Sequence, residues 1–247
     1  MKRILNIAVF LIGMLAISSL AQAHYLWIET TSQESKGAPA KLEVFYGEFE
    51  EFLREKAGGR LDEVGKIEAW TLTPQGKNEI RFEKKDDHFE VDIPAKQPLG
   101  YSTVQIQELG RPVQDWSKYD IGVVKPNFYA TTIYPTASNL ETDLAIPEVK
   151  TTLAIYPLRL GDEIAVKVFF KNEALPNAKL NVHAPNGWSK EIKTDETGMI
   201  RFRPPWQGQY VFEVIHLEKV PGEFQGVSYE AIRHRATFTW NVAKASA

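Results

Sequence analysis

From residue 24 onward the chain alternates apolar and polar side chains over short stretches. His24-Tyr-Leu-Trp-Ile-Glu-Thr sets the pattern, which returns at residues 41–46, 66–73, 88–93, 101–107, 163–170, 179–183, 199–203, 210–216 and 231–242. A period of two marks strands with one face buried. Turn-forming residues lie between them: Pro74-Gln-Gly76, Asn186-Gly187 and Asp195-Glu-Thr-Gly198. Many short strands at this spacing predict an all-β fold built from sandwiches. One short helix is expected at residues 48–56, stopped by Gly58-Gly59.

The pattern occurs twice. Ala40-Lys-Leu-Glu-Val-Phe-Tyr reads like Glu163-Ile-Ala-Val-Lys-Val-Phe-Phe, and Lys66-Ile-Glu-Ala-Trp like Lys179-Leu-Asn-Val-His. His88-Phe-Glu-Val-Asp-Ile-Pro reads like Met199-Ile-Arg-Phe-Arg-Pro, and Gly100-Tyr-Ser-Thr-Val-Gln-Ile-Gln like Gln209-Tyr-Val-Phe-Glu-Val-Ile-His. The expectation is two tandem β-sandwich domains, residues 24–147 and 148–247. The polar stretch 136–150, with Pro147, is the expected linker. Residues 110–127 hold Pro112, Trp116, Tyr119 and Pro126 without alternation. They read as a lid over the first sandwich.

The first residues follow a different logic. Lys2 and Arg3 precede an apolar run from Ile4 to Leu20, followed by Ala21-Gln-Ala23. A basic start, an apolar stretch and an A-x-A exit make a secretory signal peptide over residues 1–23. The alternative is an uncleaved membrane anchor, since ~17–25 apolar residues span a bilayer. Cleavage after Ala23 predicts a periplasmic protein whose first residue is His24. An N-terminal histidine offers its α-amine and its ring Nδ1 to one ion in a six-membered chelate. The amine's ordinary pKa of ~7.7–8.0 makes its proton cheap to displace near neutrality.

Composition narrows the function classes. The 247 residues include 43% hydrophobic and 25% charged, which suits a globular fold. The formal charge of -3 argues against nucleic acid held by bulk positive charge. The absence of cysteine removes disulfides, thiolate metal ligands and cysteine nucleophiles. No G-x-S-x-G, H-E-x-x-H or phosphate-binding glycine loop occurs, so the chain reads as a binding protein rather than an enzyme. Asp195-Glu-Thr-Gly198 is too short for a calcium loop and reads as a hairpin connection.

Five histidines remain as candidate ligands: His24, His88, His183, His216 and His234. Successive strand residues face opposite ways. His88 shares parity with Glu90 and Asp92, and His183 with Lys179 and Asn181, so both are expected in solvent. His216 shares parity with Tyr210, Phe212 and Val214. His234 shares parity with Ala236, Phe238 and Trp240. Their strands are consecutive and should pair as a hairpin around residues 218–230, bringing the two inward imidazoles together. Hydrogen-bonded core-edge histidines are the plain reading of that pair. If His24 joins them, one amine and up to three imidazoles converge. That nitrogen-rich set suits nickel, cobalt, copper or zinc.

The opening His24-Tyr-Leu-Trp-Ile-Glu resembles an exported bacterial family filed as a domain of unknown function. So do Gly161-Asp-Glu with Val166-Lys-Val-Phe-Phe, Leu175-Pro-Asn-Ala-Lys-Leu-Asn-Val, Gly208-Gln-Tyr-Val-Phe-Glu-Val-Ile-His and Ala236-Thr-Phe-Thr-Trp. Some members of that family belong to nickel/cobalt uptake systems. Thr194-Asp-Glu-Thr-Gly within alternation is shared with carboxypeptidase-regulatory-like and other immunoglobulin-like modules. The resemblance implies immunoglobulin-like sandwiches and a periplasmic metal-binding accessory protein, with His24 and His216 as ligands. His234 joins them on the parity argument above. The metal would pass to a membrane metal transporter, with nickel or cobalt favoured over copper or zinc. Two other classes compete. A copper histidine-brace protein would use His24, one further histidine and an aromatic such as Tyr25, Trp27 or Tyr229. A metal-free module would bind glycans or proteins through exposed aromatics.

Overall fold

The computed structural model describes residues 24–31, 40–73, 76–93, 101–135 and 151–242. The expected leader 1–23, its cleavage point and the expected linker 136–150 lie outside these residues. The regular elements of the described residues are strands apart from three short 3-10 turns, and the all-β sandwich architecture holds. No helix among the described residues is long and apolar enough to cross a membrane.

A nine-stranded sheet forms the centre. From one edge it runs Gly76–Ile80, Ile67–Thr73, Tyr101–Glu108 and Val123–Pro135. It continues through Ala231–Val242, Gly208–Glu218 and Lys179–His183 to Ser189–Lys193. The short strand Gln114–Asp115 pairs beside Val123–Pro135. Two smaller sheets flank the centre. The first holds Tyr25–Thr31, Ala40–Glu48, Phe89–Ile93 and Glu83–Lys84, with Leu53–Arg54 paired to Ala40–Glu48. The second holds Leu153–Arg159, Ile164–Phe170, Glu173–Ala174 and Met199–Phe202.

The order of the central sheet is the same read outward from its middle in either direction, so each half of the chain supplies matching strands. The middle pair, Val123–Pro135 and Ala231–Val242, runs parallel, while its other pairings are antiparallel. Two sandwiches are thereby joined edge to edge through their last strands. Such pairing removes two open sheet edges, which are otherwise sites of association.

The cores show which face each small sheet covers. Leu26, Ile28, Leu42 and Val44 pack with Val104, Ile106, Phe128 and Ala130. Ile155, Ile164, Val166 and Val168 pack with Leu180, Phe212, Val214 and Phe238. On the strand Val123–Pro135, Phe128 and Ala130 serve the first core, while Tyr129 and Ile133 serve the second. The small sheets therefore lie on opposite faces of the shared sheet.

Three expectations change. The helix at 48–56 is one 3-10 turn, Phe49–Glu51, followed by Leu53–Arg54. Phe52 adopts a left-handed φ of 57°, and the turn has no buried side chain to hold a longer helix. The lid at 110–127 contains a 3-10 turn, Ser117–Tyr119, and then becomes the central strand Val123–Pro135. Because both faces of that strand are covered, it lacks the alternation that reveals a half-buried one. His183 is buried, at 4% exposure. Its side chain leaves the Leu180–Val182 core as expected, but the head of the first strand covers that outer face.

Candidate metal centre

The first strand positions His24. Tyr25 pairs with Gly47, which brings the neighbouring residue Glu48 beside His24. Gly47 also pairs with Arg54, which brings Glu55 to the same place. The ring Nδ1 of His24 lies 2.9 Å from Glu48 Oε1, and Nε2 lies 2.5 Å from Glu55 Oε1. Arg60 Nη1 sits 3.1 Å from Nε2 and 3.4 Å from Nδ1, and the Tyr46 ring packs at 5.3 Å. His24 and Glu48 are both buried. A neutral imidazole donates from only one nitrogen, so two flanking carboxylates form a site for a proton or a metal cation.

The last strand anchors this head. Arg235 donates from Nη1 to the His24 carbonyl at 3.2 Å, and the Thr237 hydroxyl donates to the Leu26 carbonyl at 2.7 Å. Arg235 Nε also donates to Glu213 Oε1 at 2.5 Å. Glu213 Oε2 lies 3.2 Å from His183 Nε2 and accepts from Asn181 Nδ2 at 3.2 Å. Burial pushes the Glu213 carboxyl up, but Arg235 and His183 outweigh it and hold it at about 2. The Tyr25 hydroxyl donates to Glu50 at 2.5 Å, and its ring stacks on His183 at 6.0 Å. Burial, followed by the Glu50 charge, pushes the Tyr25 phenol far up. Tyr25 is therefore a fixed neutral donor.

His216 and His234 meet as the parity argument required. They are register partners on antiparallel strands, and the intervening loop carries the small ladder Gly222–Phe224 with Val227–Tyr229. His234 is buried and used on both nitrogens. The Tyr129 hydroxyl lies 2.9 Å from Nδ1, and Glu218 Oε2 lies 3.1 Å from Nε2. His216 packs on Phe170 at 4.2 Å, and Lys171 pairs with Glu218. These contacts occupy both His234 nitrogens at the edge of the core.

The three residues taken as one ligand set, His24, His216 and His234, are not brought together. His234 and Arg235 are consecutive on one strand and so face opposite ways. Arg235 holds the head of the first strand, so the shared sheet stands between His24 and the histidine pair. Sequence reasoning missed Glu48, Glu55 and Arg60. The acidic run after the second strand was the available signal, but it was read as part of a helix.

His234 yields a pH prediction. Burial pushes the His234 imidazole down, with Glu218 opposing, and burial also lowers His216. A base with a depressed folded pKa favours the neutral form. Its stabilisation is full above the unfolded value of ~6.5 and is lost as pH falls through that value toward the folded one. Stability to urea is expected to drop between pH 7.5 and 5.5, less so in His234→Gln. Equal pH slopes in the two proteins would contradict this.

A family model for a domain of unknown function, DUF4198, matches residues 21–218. The chain belongs to the DUF4198 family. No curated protein matches it. Among solved structures, this DUF4198 chain is similar to the BSP domain of a biofilm associated protein at 14% identity, covering 90% of this chain and 30% of that one, with a TM-score of 0.23. It is similar to a two-domain fibronectin type-III segment of chicken tenascin at 10% identity, covering 87% and 97%, with a TM-score of 0.24. An Escherichia coli alpha-2-macroglobulin segment spanning MG0-NIE-MG1 matches at 8% identity over 83% and 95%, with a TM-score of 0.23. At these values the likenesses carry no functional argument.

Proposed function

We propose that this DUF4198 protein is an exported, periplasmic binder of a divalent transition metal, nickel or cobalt, serving a membrane uptake system. His24 is its chelating residue. The supporting observation is the pair of carboxylates on the His24 ring, at 2.9 Å from Nδ1 and 2.5 Å from Nε2. Glu55 fixes the ring through Nε2, as outer-shell carboxylates do for metal-bound histidines. Nδ1 then faces Glu48, and Nδ1 is the nitrogen that closes a chelate with the α-amine freed by leader removal. Amine, Nδ1 and the Glu48 carboxylate give two nitrogens and one oxygen. Arg60 sits on the other side of the balance, because its charge competes with a cation. Ligand protons must leave, so affinity falls with acid.

Calorimetric titration with nickel and cobalt tests this reading on protein beginning at His24 and on protein carrying one extra residue before it. The extension is expected to weaken binding at least about tenfold, the scale on which a lost ligand or outer-shell partner acts. Glu55→Gln is expected to weaken it in the same direction. Equal affinity in the extended and unextended proteins would refute the proposal.

A further inference from the structure

The outer face of the first small sheet carries a column of four glutamates. Glu29, Glu43, Glu90 and Glu83 are successive register partners across four neighbouring strands. Like charges directly opposite one another weaken a sheet, so the column needs cations. Glu29 accepts from Arg54 at 2.7 Å, and Glu83 pairs with Lys85 at 3.1 Å. Glu90 meets Lys41 at 3.0 Å and Lys85 at 3.2 Å. Among the described residues, Glu43 meets no lysine or arginine at ion-pairing distance. The His88 ring stands there instead, 3.8 Å away.

His88 is oriented like a ligand. Its Nδ1 is 2.6 Å from Asp87 Oδ1, a bond that fixes both ring and tautomer. The Phe45 ring packs against it at 5.4 Å. Its Nε2 is buried with no hydrogen-bond partner, 3.6 Å from Glu90 and 3.8 Å from Glu43. A neutral Nε2 would aim a lone pair at two anions. One donor atom from each of Glu43, His88 and Glu90 lies within 4.8 Å of the others, a spacing that suits three ligands of one ion.

We propose that Glu43, His88 and Glu90 form a divalent transition-metal site that is separate from His24. One imidazole and two carboxylates suit zinc, nickel or cobalt, and supply too few oxygens for calcium. Asp87 is the outer partner of the histidine. Lys41 and Lys85 are the outer partners of the Glu90 carboxylate. An open cleft of about 820 Å³, lined by Asp62, Lys84, Asp86, His88 and Glu90, adjoins two of the three residues. The site does not depend on leader removal, because none of its donors is a chain terminus.

The experiment uses the whole chain with one extra residue before His24, which blocks the amine chelate. Zinc and nickel are titrated calorimetrically into this protein and into its His88→Ala and Glu43→Gln variants. The parent is expected to bind one ion, and each variant to bind it about 10–100-fold more weakly or worse. Circular dichroism establishes that the variants are folded. If His88→Ala does not fold, nitrogen NMR of the parent decides: zinc must shift the His88 Nε2 resonance. No binding by the parent, equal affinity in the variants, or an unmoved Nε2 resonance overturns the proposal. The two readings fail separately. Loss on N-terminal extension reports on His24, and loss on His88→Ala reports on this site.

Discussion

Replacing Arg235 with leucine is expected to lower the unfolding free energy by about 3–5 kcal/mol, the usual cost of stripping one partner from a buried ion pair. Glu213 is 2% exposed and Arg235 4% exposed, on the face of the shared sheet that meets the first strand. With the guanidinium gone, the Glu213 carboxylate keeps only His183 and Asn181, and cannot reach water. The His24 carbonyl also loses its donor. The double variant Arg235→Leu/Glu213→Leu removes the stranded charge and should recover much of the loss, since apolar replacements of buried pairs are often neutral. Urea unfolding near pH 7.5 measures both. A single-variant loss below about 1 kcal/mol would show that water reaches Glu213 and that the seam is not held by this pair.

The same pair sets an acid limit. The Glu213 carboxyl is depressed to about 2, against ~4.3 when unfolded. Its stabilisation is present above the unfolded value and is lost as pH falls from there toward about 2. In Arg235→Leu this part of the acid profile should flatten.

Gly47→Ala is the second large effect. Gly47 sits at φ 154°, and a Cβ there would come 2.1 Å from the Leu53 carbonyl oxygen and 2.9 Å from its carbon. Backbone, not a flexible side chain, is in the way. The strand Leu53–Arg54 must move off its partner, and Glu48 and Glu55 flank that junction. The expected cost is about 2–4 kcal/mol, within the range for overpacking combined with backbone strain. It should come with weaker nickel binding, because the two carboxylates no longer meet the His24 ring together. Thermal melting and calorimetry on one preparation test both halves. Unchanged melting would mean that the Gly47–Leu53 approach is relaxed in solution.

Much of the architecture was legible in the chain. The alternating stretches at 41–46, 163–170 and 210–216 became strands, with Leu42 and Val44, Val166 and Val168, and Phe212 and Val214 facing the two main cores. The matched segments of the two halves occupy matched places in the sheets. The His216–His234 pairing followed from parity and adjacency alone. The strand Val123–Pro135 stayed hidden because it packs on both faces, so its pattern carries no period. The residues around His24 were hidden for another reason. A run such as Glu48-Phe-Glu-Glu-Phe-Leu-Arg-Glu is consistent with several local structures, and a left-handed Phe52 turns it back alongside Ala40–Glu48.

Local chemistry alone fixed many of the strands, their inward faces and the histidines that share a hairpin. These depend on side-chain alternation and neighbours in sequence. The parallel joining of the two last strands depends on contacts more than 100 residues apart, which no local pattern encodes. That joining set the small sheets on opposite faces, parted His24 from His216 and His234, and buried His183. The first small sheet, in turn, brought His88 to Glu43 across its strands.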